Sequence, residues 1–137
     1  MEVLAFRCVA TIFQLLPRKV ALALGVWIGN LSYIVLKRRR RIAISNLKIA
    51  FAKKFSDQEI QRICRKSFQG LGKNLAEFLQ FPQLTTENIW ELVNVEGKEN
   101  LDIALSQGKG AIIFVPHFGN WELTGLITGV LIPNRIK

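Results

Sequence analysis

The chain has 137 residues, enough for one domain of ordinary size, 50% of them hydrophobic, with a formal net charge of +9 and a sequence pI near 10.1, a balance that points to a nucleic-acid or membrane partner. The charge is uneven: residues 1–73 hold 15 Lys or Arg against three acids, and residues 74–137 hold four against seven. One His and two distant cysteines, Cys8 and Cys64, leave no metal-ligand spacing, so no metal or other cofactor is expected and both thiols read as reduced and structural.

The first 36 residues are strongly apolar and read as a membrane anchor. Within them, residues 20–36 form an uncharged run of 17, VALALGVWIGNLSYIVL, at the short edge of what a helix needs to cross hydrocarbon. Two arrangements fit: one spanning helix, or two apolar helices broken at Pro17 and lying in a single leaflet. A cleaved signal peptide is disfavoured, because the cations follow the apolar run and no small-residue cleavage pattern is present.

Lys37, Arg38, Arg39, Arg40 and Arg41 close that run and open a basic juxtamembrane segment, residues 37–55. A cationic collar keeps its end of an anchor on the cytoplasmic side, with anionic lipid headgroups as counter-ions. Five consecutive cations can also neutralise nucleic-acid phosphates, but no recognition signature accompanies them and an apolar segment adjoins them, so no nucleic-acid partner is expected.

Residues 56–137 read as the N-terminal part of an α/β domain. Ser56-Asp57-Gln58-Glu59 has the capping-box form and predicts a helix start. Ile60, Ile63, Cys64, Phe68, Leu71, Leu75, Phe78 and Leu79 follow at steps of three and four, predicting one apolar stripe that ends near Phe81-Pro82. Cys64 on that stripe reads as a small core residue. A short helix is expected over residues 86–91. Next, Val93 and Val95 alternate as in a strand, Leu101, Ala104 and Leu105 mark a helix, and Gly108 marks its stop. The run AIIFVP, residues 111–116, predicts a strand buried on both faces of a parallel sheet, so the order implies a βαβ crossover.

His117 stands at the end of that expected strand, and the segment Phe118-Gly119-Asn120-Trp121-Glu122 leads into a helix expected through Val130. On one continuous helix, residues five apart are turned by about 140°, so His117 and Glu122 can pair only across a turn. Gly119 makes such a turn easy and Asn120 is a good cap for the helix presenting Glu122. The Glu122 carboxylate would then fix the tautomer of His117 and raise its basicity, a pair suited to deprotonating a substrate hydroxyl without a Ser or Cys nucleophile. The plainer reading is a strand-end histidine bonded to a convenient acid.

The segment GAIIFVPHFGNWEL, preceded by VEGKENLDIALSQGKG, resembles the first catalytic block of the bacterial lipid A late acyltransferases, the lauroyl and myristoyl transferases of the lysophospholipid acyltransferase superfamily. RRRRIAISNLKIAF is similar to the segment these proteins carry after their anchor. The resemblance spans essentially the whole chain. It implies a membrane-anchoring helix followed by the first part of a glycerolipid-acyltransferase-like α/β domain. It also implies an inner-membrane enzyme facing the cytoplasm, with an acyl carrier protein thioester as donor and a lipid A precursor as acceptor. His117 then takes the role of general base, Glu122 that of its partner, and Gly119, Asn120 and Trp121 shape the turn beside the substrate. The collar Lys37 to Arg41 becomes a docking surface for membrane lipids or the acidic carrier protein. Because family domains continue well past the point where this chain stops, 15 residues after Glu122, a truncated product or fragment is expected. The alternative is an inactive remnant, or a non-catalytic basic protein of the membrane surface.

Overall fold

The computed structural model describes residues 2–51 and 54–132, and the chain forms two compact units, Met1–Gln83 and Leu84–Lys137. In the first unit, helix α1 (Glu2–Leu15) is followed by α2 (Arg18–Val35), α3 (Lys37–Phe51) and the long α4 (Asp57–Gln80). Pro17 divides α1 from α2, as in one of the two arrangements the sequence left open, because it has no N–H to donate and disfavours helical geometry in the residue before it. Its carbonyl starts the next helix instead, accepting from the amides of Val20 at 2.9 Å and Ala21 at 3.0 Å. At Leu36 the chain turns again, and α3 leaves α2 at 92°.

Ser56 begins α4 as its composition predicts. The Ser56 hydroxyl accepts from the Glu59 amide at 3.3 Å, and the Glu59 carboxylate accepts from the Ser56 amide at 2.8 Å, so both halves of the capping box are made. The helix stops at Gln80, one residue before Phe81-Pro82. Its buried face is Ile60, Cys64, Phe68, Gly72, Ala76, Leu79 and Gln80, whereas Leu71, Leu75 and Phe78 of the expected stripe are exposed.

That shift has a cause in α2. Gly25 and Gly29 are buried there, and a Cβ placed on Gly25 would lie 2.5 Å from the carbonyl oxygen of Gly72. A Cβ on Gly72 would lie 2.0 Å from the carbonyl oxygen of Gly25, and one on Gly29 would lie 2.3 Å from that of Phe68. The two helices therefore meet backbone to backbone, and the line of closest approach on α4 must be its small residues, with the larger apolar ones displaced to the flank. The pairing is antiparallel: Arg18 at the start of α2 makes an ion pair with Glu77 late in α4, and the Asn30 side chain accepts from Arg65 at 2.7 Å and Gln69 at 3.0 Å.

Phe13 of α1 joins Ala21, Ala76 and Leu79 in a small core, with Ala10, Leu16 and Ile28 packed against it. Glutamines tie the helix ends above it. The buried Gln80 amide donates to the carbonyls of Phe13 and Leu16, both at 2.9 Å, and Gln14 donates to the Leu79 carbonyl at 3.2 Å. Carbonyls at the ends of both α1 and α4, where intrahelical partners run out, thus gain side-chain donors across the interface.

The second unit contains a 3-10 turn, Asn88–Glu91, where the sequence suggested a short helix, then α5 (Lys98–Ser106) and α6 (Trp121–Leu131). Gly108 ends the α5 region in a left-handed conformation, φ +69°. The α/β expectation is overturned: all regular structure among the described residues is helical. Val93 and Val95 lie in irregular chain, and so does the run 111–116, where Ile112 is 100% and Phe114 93% exposed instead of buried on both faces. A strand needs ladder partners for its backbone groups, and these two apolar runs supply none to each other, so their β-prone composition is not realised. The expectation of a single membrane-anchoring helix is corrected too. No single helix among the described residues is long and apolar enough to cross a membrane, because α1 and α2 are cut at Pro17 and α2 turns away at Leu36.

The glycine contact is directly testable. Gly72→Ala should cost about 1–3 kcal/mol of stability by overpacking a backbone contact, whereas Gly70→Ala, two residues away with nothing within 4 Å of its Cβ, should be neutral or stabilise by up to ~1 kcal/mol. Urea unfolding in detergent followed by far-UV circular dichroism measures both. The capping box carries a pH signature. Bonds from the Ser56 amide, and secondarily its hydroxyl, hold the Glu59 carboxyl below its ordinary value. A depressed folded-state value means the stabilisation is complete above the ordinary carboxylate range and is lost as pH falls through the folded value. Glu59→Ala should therefore lower the midpoint of thermal unfolding at neutral pH, and the gap to wild type should close in acid.

Candidate active site at the His117 turn

His117 follows the irregular run that ends at Pro116, and the Phe118 amide donates to the Pro116 carbonyl at 2.8 Å, a tight reversal of the chain. Gly119 continues it with φ +58°, a left-handed conformation that disfavours any residue with a Cβ. The turn expected between His117 and Glu122 is therefore present. Asn120 occupies the cap position of α6, as the sequence suggested, but its side chain makes no capping bond. Glu122 lies in the first turn of α6, where the positive end of the helix dipole favours a carboxylate.

The reversal brings the start of α6 back against His117. The His117 and Trp121 rings lie 4.6 Å apart between centroids at 46°. His117 and Glu122 are both exposed, and no hydrogen bond or ion pair joins them among the described residues. The structure thus unites His117 with Trp121 and places Glu122 on the adjoining turn of helix. Beside them, an open cleft of about 680 Å³ runs between residues 93–104 and α6, lined by Val95, Leu101, Ala104, Leu123 and Ile127 with Asn120 at its edge. Neither His117 nor Glu122 lines this cleft. Its apolar walls were visible in the sequence only as residues assigned to a strand and a helix. Among the described residues there is no group of three or more His, Cys, Asp or Glu able to hold a metal ion.

In the other unit, Lys37 to Arg41 occupy the first turns of α3 and no acid accompanies them there. Cations at a helix N-terminus oppose its dipole, but the same residues sit next to the C-terminal end of α2, where cations are favoured. Arg40 uses that end: it donates to the Tyr33 carbonyl at 3.2 Å and its guanidinium lies 5.0 Å from the Tyr33 ring centre. Tyr33 in turn meets Phe68 of α4 edge to face at 5.7 Å. Lys37, Arg38, Arg39 and Arg41 remain exposed. Cys64 is fully buried, its thiol pushed up by burial with a smaller opposing effect from Arg40, while Cys8 is exposed and both are free thiols. The sequence reading missed the helix-pairing residues Gly25, Gly29 and Gly72. The signal was present, since Gly25 and Gly29 form a G-x-x-x-G inside the apolar run and Asn30 is its lone amide side chain.

A match to the family of bacterial lipid A biosynthesis acyltransferases covers residues 3–133 and includes every residue of this turn. The chain belongs to that family. The lipid A biosynthesis palmitoleoyltransferase of Escherichia coli K12 is 32% identical over 118 residues, covering 86% of this chain and 38% of that protein. The lauroyltransferase of the same organism is 30% identical over 108 residues, 79% of this chain and 35% of that one. A phosphatidylinositol mannoside acyltransferase of Mycobacterium tuberculosis is 29% identical over 62 residues, 44% of this chain and 20% of that one. The chain thus spans less than two fifths of the length of these lipid A relatives. No solved structure gives a significant match.

Gly119 is the geometric pivot of the turn. Replacement by Ala should cost about 1–2 kcal/mol, the penalty of a left-handed residue with a Cβ, and Gly119→Asn should cost less because Asn tolerates that conformation. Chemical unfolding of the two variants, with His117–Trp121 proximity followed by Trp fluorescence, measures the difference.

Proposed function

We propose that this chain serves the transfer of a fatty acyl group from an acyl carrier protein thioester to a hydroxyl of a lipid A precursor, at the cytoplasmic face of the bacterial inner membrane. The observation that carries the reading is the family match running through both His117 and Glu122, on a turn where both side chains are open to a substrate. One ring nitrogen of His117 takes the acceptor hydroxyl proton as the oxygen attacks the thioester carbonyl. The tetrahedral intermediate then collapses, the carbon–sulfur bond breaks, and the leaving thiolate takes the proton back from the imidazolium. Glu122 accepts the remaining ring N–H and stabilises that imidazolium, acting as a positioning residue. In the substrate complex the ring must leave Trp121 for the carboxylate, a tightening that is common when catalytic groups meet their substrate. The positive end of α6 faces the charge that develops on the carbonyl oxygen.

Gly119, Asn120 and Trp121 shape the turn beside the substrate in this reading. The collar from Lys37 to Arg41 offers charge complementary to membrane lipids and to an acidic carrier protein, and no cofactor is required.

Acyl transfer from a radiolabelled acyl carrier protein thioester to a lipid A precursor, in membranes holding the chain, tests the reading. His117→Ala should lower transfer by roughly 10²–10⁴-fold, the usual range for loss of a general base. Glu122→Gln should lower it less and move the acid limb of the pH–rate profile to lower pH, a shift that a merely structural role would not produce. Transfer unaffected by His117→Ala would overturn the assignment.

A further inference from the structure

His117 is the chain's single histidine, and residues 111–120 lie outside any helix or strand. The side chain is exposed, so its ring is held by what it touches and not by packing in a core. What it touches is Trp121, half-buried at the first position of α6, with ring centroids 4.6 Å apart and planes tilted by 46°. That separation falls inside the range of about 4.5–7 Å over which aromatic rings attract.

Glu122 follows on the same helix, exposed. Successive helix residues are turned by about 100°, so the indole and the carboxylate present themselves in different directions. An imidazole seated on one is turned from the other, and no hydrogen bond or ion pair joins His117 to Glu122 among the described residues. Their demands differ as well: the indole takes the ring by its face, and the carboxylate takes a ring N–H at its edge. Gly119 sets the contest, because its φ of +58° returns the start of α6 to His117 and delivers both rivals together.

We propose that Trp121 is a positioning residue that competes with Glu122 for the His117 ring and holds the base idle until the acceptor is seated. The proposal rests on the catalytic reading of His117 and adds a control of that same site. A base already paired with its carboxylate acts on any hydroxyl that reaches it, and on an exposed turn water is always present. Attack by water on the thioester carbonyl breaks the carbon–sulfur bond and releases a free fatty acid and a thiol, with His117 taking the proton from water and passing it to the thiolate. An imidazole stacked on Trp121 is withdrawn from that loss. The strength of such a contact suits the task. A bias of about threefold to tenfold lets the idle position dominate at rest, and a bound substrate can reverse it.

Resonance spectra of the full chain in detergent micelles, isotopically labelled at histidine, test the competition, because every imidazole signal belongs to His117. The ring Cε1–H resonance of wild type should lie upfield of its position in Trp121→Leu, shielded by the indole, and Trp121→Phe should keep most of that shift. Glu122→Ala should leave both ring-nitrogen resonances in place when Trp121 is present and move them in the Trp121→Leu background, where the freed ring has found the carboxylate. Equal movement in both backgrounds, movement in neither, or no upfield shift in wild type would sink the competition. Turnover supplies a second readout. With an acyl carrier protein thioester and no acceptor, Trp121→Leu should raise thioester hydrolysis about threefold to tenfold, and Trp121→Phe should return it toward wild type. A residue that only shaped the turn would lower hydrolysis together with transfer, and that result would remove the control proposed for Trp121. Silence of every variant in hydrolysis and transfer alike would refute the catalytic reading instead, and the resonances would then decide by themselves whether the two side chains compete for one ring.

Discussion

Everything in the first unit depends on two helices touching at their backbones. With Gly25 and Gly29 on α2 and Gly72 on α4, main-chain atoms of one helix occupy the space where the other would hold a side chain. Such closeness lets Tyr33 reach Phe68 and lets Asn30 engage both Arg65 and Gln69. It also decides what stays outside. Because the seam is made of small residues, the large apolar side chains of α2 and α4 are turned to the flanks and the outer face, leaving a unit whose interior is narrow and whose surface is unusually apolar.

Helices were legible wherever the signal is local. Ser56 and Glu59 fix the start of α4, Pro17 divides the apolar leader, and the helix presenting Glu122 lies where Asn120 and the apolar run after it place it. Strands were not, because a strand is defined by a partner. The run 111–116 has the composition of a buried strand, yet composition cannot supply the second backbone that would accept its hydrogen bonds. The stripe on α4 was legible as a period and wrong in phase, since the glycine seam, a property of two helices at once, shifts the buried line from Leu71 and Leu75 to Gly72 and Ala76.

At the His117 turn the sequence anticipated the reversal and the cap position, both set by Gly119 and Asn120. It did not anticipate the aromatic contact. Trp121, which the motif suggested only as a shaping residue, holds the imidazole at 4.6 Å while Glu122 stands one residue further along. An aromatic platform limits the directions in which the ring can turn, so the order of residues in HFGNWE gives the histidine an aromatic neighbour in Trp121. The collar shows a parallel division: Arg40 is held by Tyr33, and Lys37, Arg38, Arg39 and Arg41 are exposed.

The glutamine ties at the helix ends bear on how the chain assembles during synthesis. Gln80 supplies the amide for the Phe13 carbonyl across 67 residues of sequence, and Gln14 meets Leu79 across 65. A growing chain makes its N-terminal part first. The last carbonyls of α1 and the glycine face of α2 therefore wait, uncovered, until nearly all of α4 has been translated. Closure of that long loop is a late, non-local event with a correspondingly high entropic barrier. The first helices to emerge are thus the last to be sealed, and a chain interrupted before residue 80 would present their unsatisfied ends and bare seam to whatever quality-control machinery it meets.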